Sequence, residues 1–468
     1  MTTLTPIQRT PAELPMSTPP SQVRWRLHVL ASPDPSMQGT VLDLNPGRTD
    51  FGRESPLQIG DPLLSRCHAA LIVGDDHVRV VDDSSRNGTF VGGQRTTRAW
   101  AGHGAVLRFG HTLAVLEADM GRALDFATPT HDVPGRSELA RVLRGELDLA
   151  ARSNLTTLLV GETGTGKEHA AQELHRRSGR KGALVRFNVA AVPRELFESE
   201  LFGHVAGAFT GAGPSRPGRL REAQGGTLVL DEIGELPEVM QAKLLRLLED
   251  GIVRPLGGQT DVPVDVRFLA STNADLESMV RNGRFRHDLL ARLRSHVVAL
   301  PRLGDRLPDL FDLADAVLGR REPSWRTQLA VQAGEVLLLH HWPDNLRELR
   351  AVLGRAILLA GDTPMTSSHL PDSLRRPSET ESTPGPQPAL AYGRPSAMQL
   401  RGWLHQYRGN IDAIARHVRR HRRQVYRWLH YAGLGVADVE ASRLGGPADP
   451  VSSQLSAGGP QARESTHG

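Results

Sequence analysis

Lys167 stands in a chain that uses arginine for nearly all of its cations; the other lysines are Lys181 and Lys243. A compact ammonium on a flexible stem meets phosphate oxygens as a point charge, which a guanidinium fork does not reproduce. It closes the run Gly161, Glu162, Thr163, Gly164, Thr165, Gly166, Lys167. Glycines at this spacing let backbone N–H groups turn toward an anion, and a following helix adds its partial positive charge. The motif requires a strand before it and a helix after it. An apolar run at 155–160 and a helix-like pattern through His175 supply both. A second stretch, GGTLVLDE at 225–232, reads as a buried strand ending in acids. Asp231 is placed to hold Mg²⁺ directly or through water, and Glu232 to orient or deprotonate an attacking water. Glu168 occupies the position where Ser or Thr usually offers a hydroxyl to the metal, so metal binding leans on Asp231 and water. ATP and Mg²⁺ are the implied cofactors.

The elements that must position these residues follow from patterning. The 468 residues carry a net charge of +4, 39% hydrophobic and 23% charged residues, which fits a globular chain of several domains. No apolar stretch approaches the roughly 20 residues that span a bilayer. The single Cys67 cannot form an internal disulfide and is expected to be a buried structural thiol; both features suit a reducing cytoplasm. Residues 1–22 are rich in Pro, Thr and Ser and read as disordered. Short β-type runs at 27–30, 69–73, 77–81 and 112–116, separated by turn residues, make 23–118 a β-sandwich. A linker at 119–132 follows. From 133 to 302 strands alternate with amphipathic helices, the pattern of a parallel α/β domain. Its core strands are expected at 155–160, 184–188, 227–230, 266–270 and 296–300, with an all-helical segment at 303–374. A Pro/Ser/Thr-rich linker at 375–396 leads to a basic helical segment at 397–436 and a disordered tail at 437–468.

Several motifs in order make residues 133–372 resemble the AAA+ activators of sigma-54 RNA polymerase, the bacterial enhancer-binding proteins. They are GETGTGKE at 161–168, FNVAA at 187–191, ESELFGH at 198–204, GAFTGA at 207–212, GGTLVLDEI at 225–233, DVRFLASTN at 265–273, FRHDLLARL at 285–293 and WPDNLREL at 342–349. GAFTGA discriminates, because general AAA+ proteins lack it. The resemblance implies an ATPase ring, hexameric by the family's habit. It casts Asn188 as a switch restraining Glu232, Thr272 and Asn273 as a first sensor, and Arg347 as a second sensor on a helical lid. Arg286 and Arg292 resemble arginine fingers that reach a neighbouring subunit's γ-phosphate. Gly207, Ala208, Phe209, Thr210, Gly211 and Ala212 would form the mobile loop that contacts sigma-54 and remodels the closed promoter complex. Asp344 replaces the family's usual Gly in W-P-G-N, so a positive φ there would be mildly strained.

Residues 23–118 resemble a forkhead-associated (FHA) domain through FGR at 51–53, SRCH at 65–68 and DSSRNGTF at 83–90. The resemblance implies a phosphothreonine site. Arg53, Ser65, Arg66 and Arg86 suit a phosphate, Asn87 would hold the ligand backbone, and His68 would brace the loops. Gly92 stands where an Asn is usual. Control by a Ser/Thr kinase, through a partner or this chain's own tails, is the implied regulation. The segment 409–434 resembles a Fis-type helix-turn-helix, in which Arg422, Arg423, Gln424 and Arg427 would meet DNA at an upstream site. Ile414, Val418, Val425 and Leu429 would form its apolar seam, and Arg419 and Arg420 depart from the usual turn. Two other readings are a phosphopeptide-binding scaffold with a structural ring, and a general AAA+ remodeller of another substrate. The complete nucleotide motifs disfavour the first and GAFTGA the second.

Overall fold

The computed structural model describes residues 24–74, 78–119, 129–130, 132–209, 213–319 and 325–375, with positions 400, 403, 404, 407, 411, 414, 425, 428 and 429. Alternating apolar residues fold the first module into two antiparallel sheets. The six-stranded sheet runs Val41–Leu44, Arg24–Ala31, Thr112–Asp119, Val106–Phe109, Thr89–Val91, Gln94–Thr96; the four-stranded one runs Gly47–Phe51, Ala69–Val73, Val78–Asp82, Arg98–Ala101. Leu27, Val29, Phe51, Leu71, Val80, Leu107, Phe109 and Leu116 fill the core of this sandwich. Gly92 and Gly93 turn the hairpin between Thr89–Val91 and Gln94–Thr96 with φ of 58° and 80°. Such two-residue hairpins require positive φ at both positions.

The strand Thr112–Asp119 departs from half-burial, because seven of its eight residues are buried. Ala114 and Leu116 face the sandwich core. Leu113 and Val115 instead join Leu30 and Val106 in one apolar cluster with Phe311, Trp325, Leu337 and Trp342 of the helical segment. A Cβ on Gly334 would lie 2.7 Å from a Leu113 methyl, so the helix Val331–Leu339 needs glycine at this crossing. Arg108 Nε pairs with Glu335 Oε2 at 2.9 Å beside it. The carboxylate of Glu117 accepts from Glu138 N at 2.7 Å, at the start of the helix Glu138–Ala151, and pairs with buried His28 at 2.9 Å. The expected linker therefore joins two modules that share a core.

The central domain is a five-stranded parallel sheet in the order Leu184–Asn188, Thr227–Asp231, Arg267–Thr272, Thr157–Val160, His296–Ala299. The expected strands are all present; two continue to Asp231 and Thr272, and the first starts at Thr157. Helices Glu138–Ala151 and Lys167–Ser178 cover one face, packing Leu143, Leu147, Ala170 and Leu174 on Leu159, Val229 and Leu269. The other face carries Phe187, Phe197, Leu228, Leu244 and Leu289. The lid follows, with helices Leu310–Leu318, Val331–Leu339 and Asn345–Ala360. A second unit contains the described C-terminal positions, where Leu400, Leu404, Ile411, Ile414, Val425, Trp428 and Leu429 are buried together. Three of the four expected seam residues are among them; Val418 lies outside the described residues.

Candidate nucleotide and phosphopeptide sites

The phosphate loop follows the strand Thr157–Val160 and runs into the twelve-residue helix Lys167–Ser178. Gly164 and Gly166 sit at φ of 78° and 96°, a region that costs a side chain strain. At Gly164 the space is also closed, since a Cβ would lie 2.2 Å from Asp344 O. No side chain caps the helix, so its first N–H groups remain available to an anion. Lys167 Nζ donates to Gly161 O at 2.9 Å and Glu162 O at 3.1 Å, and Thr165 Oγ1 to Glu162 O at 2.9 Å. Burial pushes the Lys167 ammonium below the ordinary lysine range; the carboxylates of Glu232 and Asp231 pull it up, and Arg347 pushes it down. Four chemistry-bearing residues from three distant segments thus share one electrostatic neighbourhood.

The acids lie where the strand order predicts, at the carboxyl edge of the sheet. Asp231 Oδ1 accepts from Ser271 Oγ at 2.9 Å. Glu232 takes the left-handed conformation, φ 56°, ψ 50°, turning its side chain off the strand direction. Asn188 pairs with Asp231 in the sheet register. Its side-chain oxygen caps the next turn, accepting from Ala190 N at 2.9 Å, rather than holding Glu232. Glu168 is engaged by Arg186, whose Nη1 donates to Oε2 at 2.8 Å and whose Nη2 also contacts Asp231 Oδ2 at 3.4 Å. This Arg186 bond holds the Glu168 carboxyl below its usual range. A single hard-oxygen donor, Asp231, fits Mg²⁺, a cation that keeps several of its waters; among the described residues, no cluster of three such side chains could hold a metal alone.

The sequence reading missed the residue that ties the lid to the loop. Asn345 is fully buried; its Nδ2 donates to Thr163 O at 3.0 Å and its Oδ1 accepts from Leu303 N at 2.8 Å. Leu346 N donates to Gly164 O at 2.9 Å, which places exposed Arg347 beside the pocket. The expected strain at Asp344 does not occur: its φ is −97°, while Trp342 and Asn345 take φ of 52° and 53°. The turn places its left-handed positions on either side of Asp344; Asn345 tolerates one well, and buried Trp342, whose Nε1 donates to Leu337 O at 3.0 Å, is held in the other by its packing. Asn273 Nδ2 donates to Thr163 Oγ1 at 3.0 Å. Thr272 acts through its backbone, its O accepting from Gly161 N at 3.2 Å, while its hydroxyl caps Ala274 N. An apolar slot beside the loop is lined by Val133, Pro134, His169, Leu300, Leu313 and Leu346. No motif announces it, because its residues come from separate segments. Asn345→Ala should leave Thr163 O and Leu303 N unpaired, costing about 1–3 kcal/mol. The lowered melting temperature and a weakened nucleotide titration are the checks.

Arg286 and Arg292 make their bonds away from this cluster. Arg286 pairs with Asp288 at 2.7 Å, and Arg292 donates to Leu248 O at 3.0 and 3.2 Å. Of the GAFTGA segment, Gly207, Ala208 and Phe209 are described, and Thr210, Gly211 and Ala212 lie outside the described residues. Phe209 is half-buried rather than free at a tip, its ring edge-on to His204 at 5.4 Å. The four candidate DNA-contacting residues, Arg422, Arg423, Gln424 and Arg427, also lie outside the described residues.

In the sandwich, the loops after Phe51 and Asp82 meet at one end. Arg53, Arg66, Arg86 and Asn87 are exposed there. Ser65 Oγ accepts from Arg86 N at 3.1 Å, and Asn87 Nδ2 donates to Leu63 O at 2.7 Å. His68 is buried beneath them; its Nδ1 accepts from Ser65 N at 3.1 Å and its Nε2 donates to Gly88 O at 3.2 Å. Burial pushes its pKa down, in agreement with a neutral ring that needs one acceptor nitrogen. Burial works against ionising Asp82, but bonds from Ser85 and Thr89 hold it below the usual carboxylate range. Cys67 is exposed, not buried as expected; its neighbour His68 takes the inward position of the loop.

Three segments match known families: 133–299 the sigma-54 interaction domain, 47–110 the FHA domain, and 305–387 the AAA+ ATPase lid domain. The chain is 41% identical over 321 residues to the acetoin catabolism regulatory protein of Cupriavidus necator, covering 65% of this chain and 47% of that protein. It is 35% identical over 328 residues to the transcriptional regulatory protein GlrR of Escherichia coli K12, covering 68% and 73%. The chain spans about half the length of most curated relatives it matches, as with the 47% above. NtrX from Brucella abortus, solved in complex with ATP, is 30% identical, with a TM-score of 0.47 over 67% of this chain and 70% of that one.

Proposed function

Because the chain belongs to the sigma-54-dependent transcriptional activators, we propose that it hydrolyses ATP as a ring, hexameric by the family's habit, and remodels sigma-54 RNA polymerase into the open complex. The observation that carries this reading is the lid-to-loop junction. Asn345 and Leu346 seat the second-sensor segment on Thr163 and Gly164, so one cleft gathers Lys167, Asp231, Glu232, Asn273 and Arg347.

In this cleft the apolar slot takes the base. Backbone N–H groups of the loop and helix start hold the phosphates, and Lys167 leaves its own loop carbonyls for the outer phosphates. Glu232 orients and deprotonates the attacking water. Asp231 would hold Mg²⁺, which neutralises charge on the β- and γ-phosphates when bound with the nucleotide. Asn188, one register position from Glu232, would sense the phosphate and restrain that acid once its side chain leaves the Ala190 N–H that it caps here. Arg286 and Arg292 point their chemistry outward and complete a neighbour's site.

The product of hydrolysis is movement of the GAFTGA loop against sigma-54. Thr210→Ala should keep ATP turnover within about twofold, since it changes none of the residues assigned to the nucleotide cleft, yet abolish open-complex formation. Permanganate reactivity of the promoter is the measurement. Retained melting would remove the loop from the coupling.

We read the FHA domain as the input, binding phosphothreonine through Arg53, Ser65, Arg66, Arg86 and Asn87. A bonded route from this site to the lid supports the assignment. Asn87 holds Leu63 O; Leu63 N donates to Asp61 Oδ1 at 2.9 Å; Asp61 Oδ2 accepts from His111 N at 2.7 Å and Thr112 Oγ1 at 3.0 Å. The strand starting at Thr112 then packs Leu113 on the lid. Arg53→Ala should lower affinity for a phosphothreonine peptide by at least tenfold, since a hydrogen bond to a charged group contributes about 1.5–3 kcal/mol. Calorimetry with the phosphorylated and plain peptide checks it; equal heats for wild type and variant would exclude the pocket. The C-terminal unit is read as the DNA-binding output, anchoring the ring at an upstream site in the cytoplasm. Among the described residues, no helix is long and apolar enough to cross a membrane.

A further inference from the structure

We infer that Arg186 is a positioning residue that fills the cation position of the nucleotide site from within the chain, so that a divalent ion enters only together with ATP. This rests on the nucleotide-site reading above. Along the strand Leu184–Asn188, side chains alternate between faces. Val185 and Phe187 pack into the cluster on the far side, whereas Leu184 packs against the cluster that holds Ala171 and Leu174 of the phosphate-loop helix. Arg186 shares the face of Leu184 and therefore projects toward the loop. Its guanidinium contacts both oxygens of Glu168 and lies 3.4 Å from Asp231 Oδ2. Its bond to Glu168 raises the arginine pKa further, so the group carries its charge throughout the working range.

The charges explain what this does. Glu168 and Asp231 converge on one guanidinium nitrogen, Nη2. Two carboxylates that close would repel each other without a cation between them, and together they would attract a divalent ion. Arg186 reduces the net charge of the trio from −2 to −1 and occupies the space between them. Bare metal ions then meet a site whose charge a tethered cation has halved and whose centre it occupies. A triphosphate brings enough negative charge to draw Mg²⁺ in, and Asp231, held on its other oxygen by Ser271, remains oriented to receive it. Glu168 stays on Arg186.

The test titrates Mn²⁺ into the full-length protein without nucleotide, followed by electron paramagnetic resonance, with ATP binding in EDTA measured in parallel. Arg186→Gln should bind Mn²⁺ at least on the order of tenfold more tightly than wild type. Arg186→Lys should keep the exclusion, and Glu168→Gln added to Arg186→Gln should reverse the gain. Glu168→Gln alone should show no gain, because Arg186 then rests on Asp231. Equal Mn²⁺ affinity for wild type and Arg186→Gln, with ATP bound by both in EDTA, would overturn the proposal and leave the nucleotide site standing. Absence of ATP binding by wild type would overturn both. If Arg186→Gln melts early, a gain of Mn²⁺ binding by Arg186→Lys would overturn the proposal on its own.

Discussion

Arg292→Ala is expected to lower ATP turnover by about 10³–10⁵-fold, the range of a removed arginine finger, without weakening nucleotide binding in the same subunit. The guanidinium bonds Leu248 O in its own chain, and Arg286 pairs with Asp288. Neither bond involves the chain's own phosphate loop, as the proposed service of a neighbour's pocket requires. The decisive form of the experiment mixes two inactive variants. Lys167→Ala subunits have a disabled pocket and intact fingers; Arg292→Ala subunits have the reverse. Mixed rings contain interfaces where an intact pocket meets an intact finger, and turnover should reappear as the ratio is varied. A mixture as inactive as its components would place the finger in cis. Because Arg292 also satisfies a helix-terminal carbonyl, its melting temperature is measured alongside.

Glu232→Gln is expected to slow hydrolysis by about 10²–10⁴-fold, the usual contribution of a general base, while ATP still binds. Glutamine keeps the side-chain length and tolerates the local geometry as glutamate does. The backbone at this position is left-handed, φ 56°, a conformation uncommon for residues with a side chain, and held here by the turn into Ile233–Glu235. That turn breaks the strand's alternation at Glu232, which suits the different roles proposed for it and for adjacent Asp231. Single-turnover hydrolysis with a parallel nucleotide titration separates chemistry from binding. Loss of both would make Glu232 a structural group.

The phosphate loop and the acid-tipped strand were legible because their chemistry demands fixed residue types at short spacing. The sandwich and the five parallel strands were legible through turn residues and apolar periodicity. What escaped were contacts set by long-range packing. Asn345 sits in a motif that was recognised, yet its hold on Thr163, 182 positions away, follows only from the fold. Arg186 carried no signal, since one arginine in a strand is ordinary until its face is known. The strand Thr112–Asp119 did carry one. Its run TLAVL has no polar alternation, the mark of burial on both faces, and the second face is the lid. The positive φ expected at Asp344 moved to Trp342 and Asn345, because the turn, not the sequence identity, decides which residue is left-handed. Cys67 was assigned inward by residue type, but the loop before Ala69–Val73 gives that place to His68, which bonds Ser65 N and Gly88 O.

The most direct measurement combines the full-length chain, sigma-54 RNA polymerase and a promoter carrying its upstream site. Promoter melting is followed by permanganate reactivity with and without ATP. The account predicts melted DNA only when ATP is hydrolysed, none with Glu232→Gln, and none with Thr210→Ala despite continued turnover. Equal melting with and without ATP, or sustained ATP turnover by the wild-type ring with the promoter remaining closed, would contradict it.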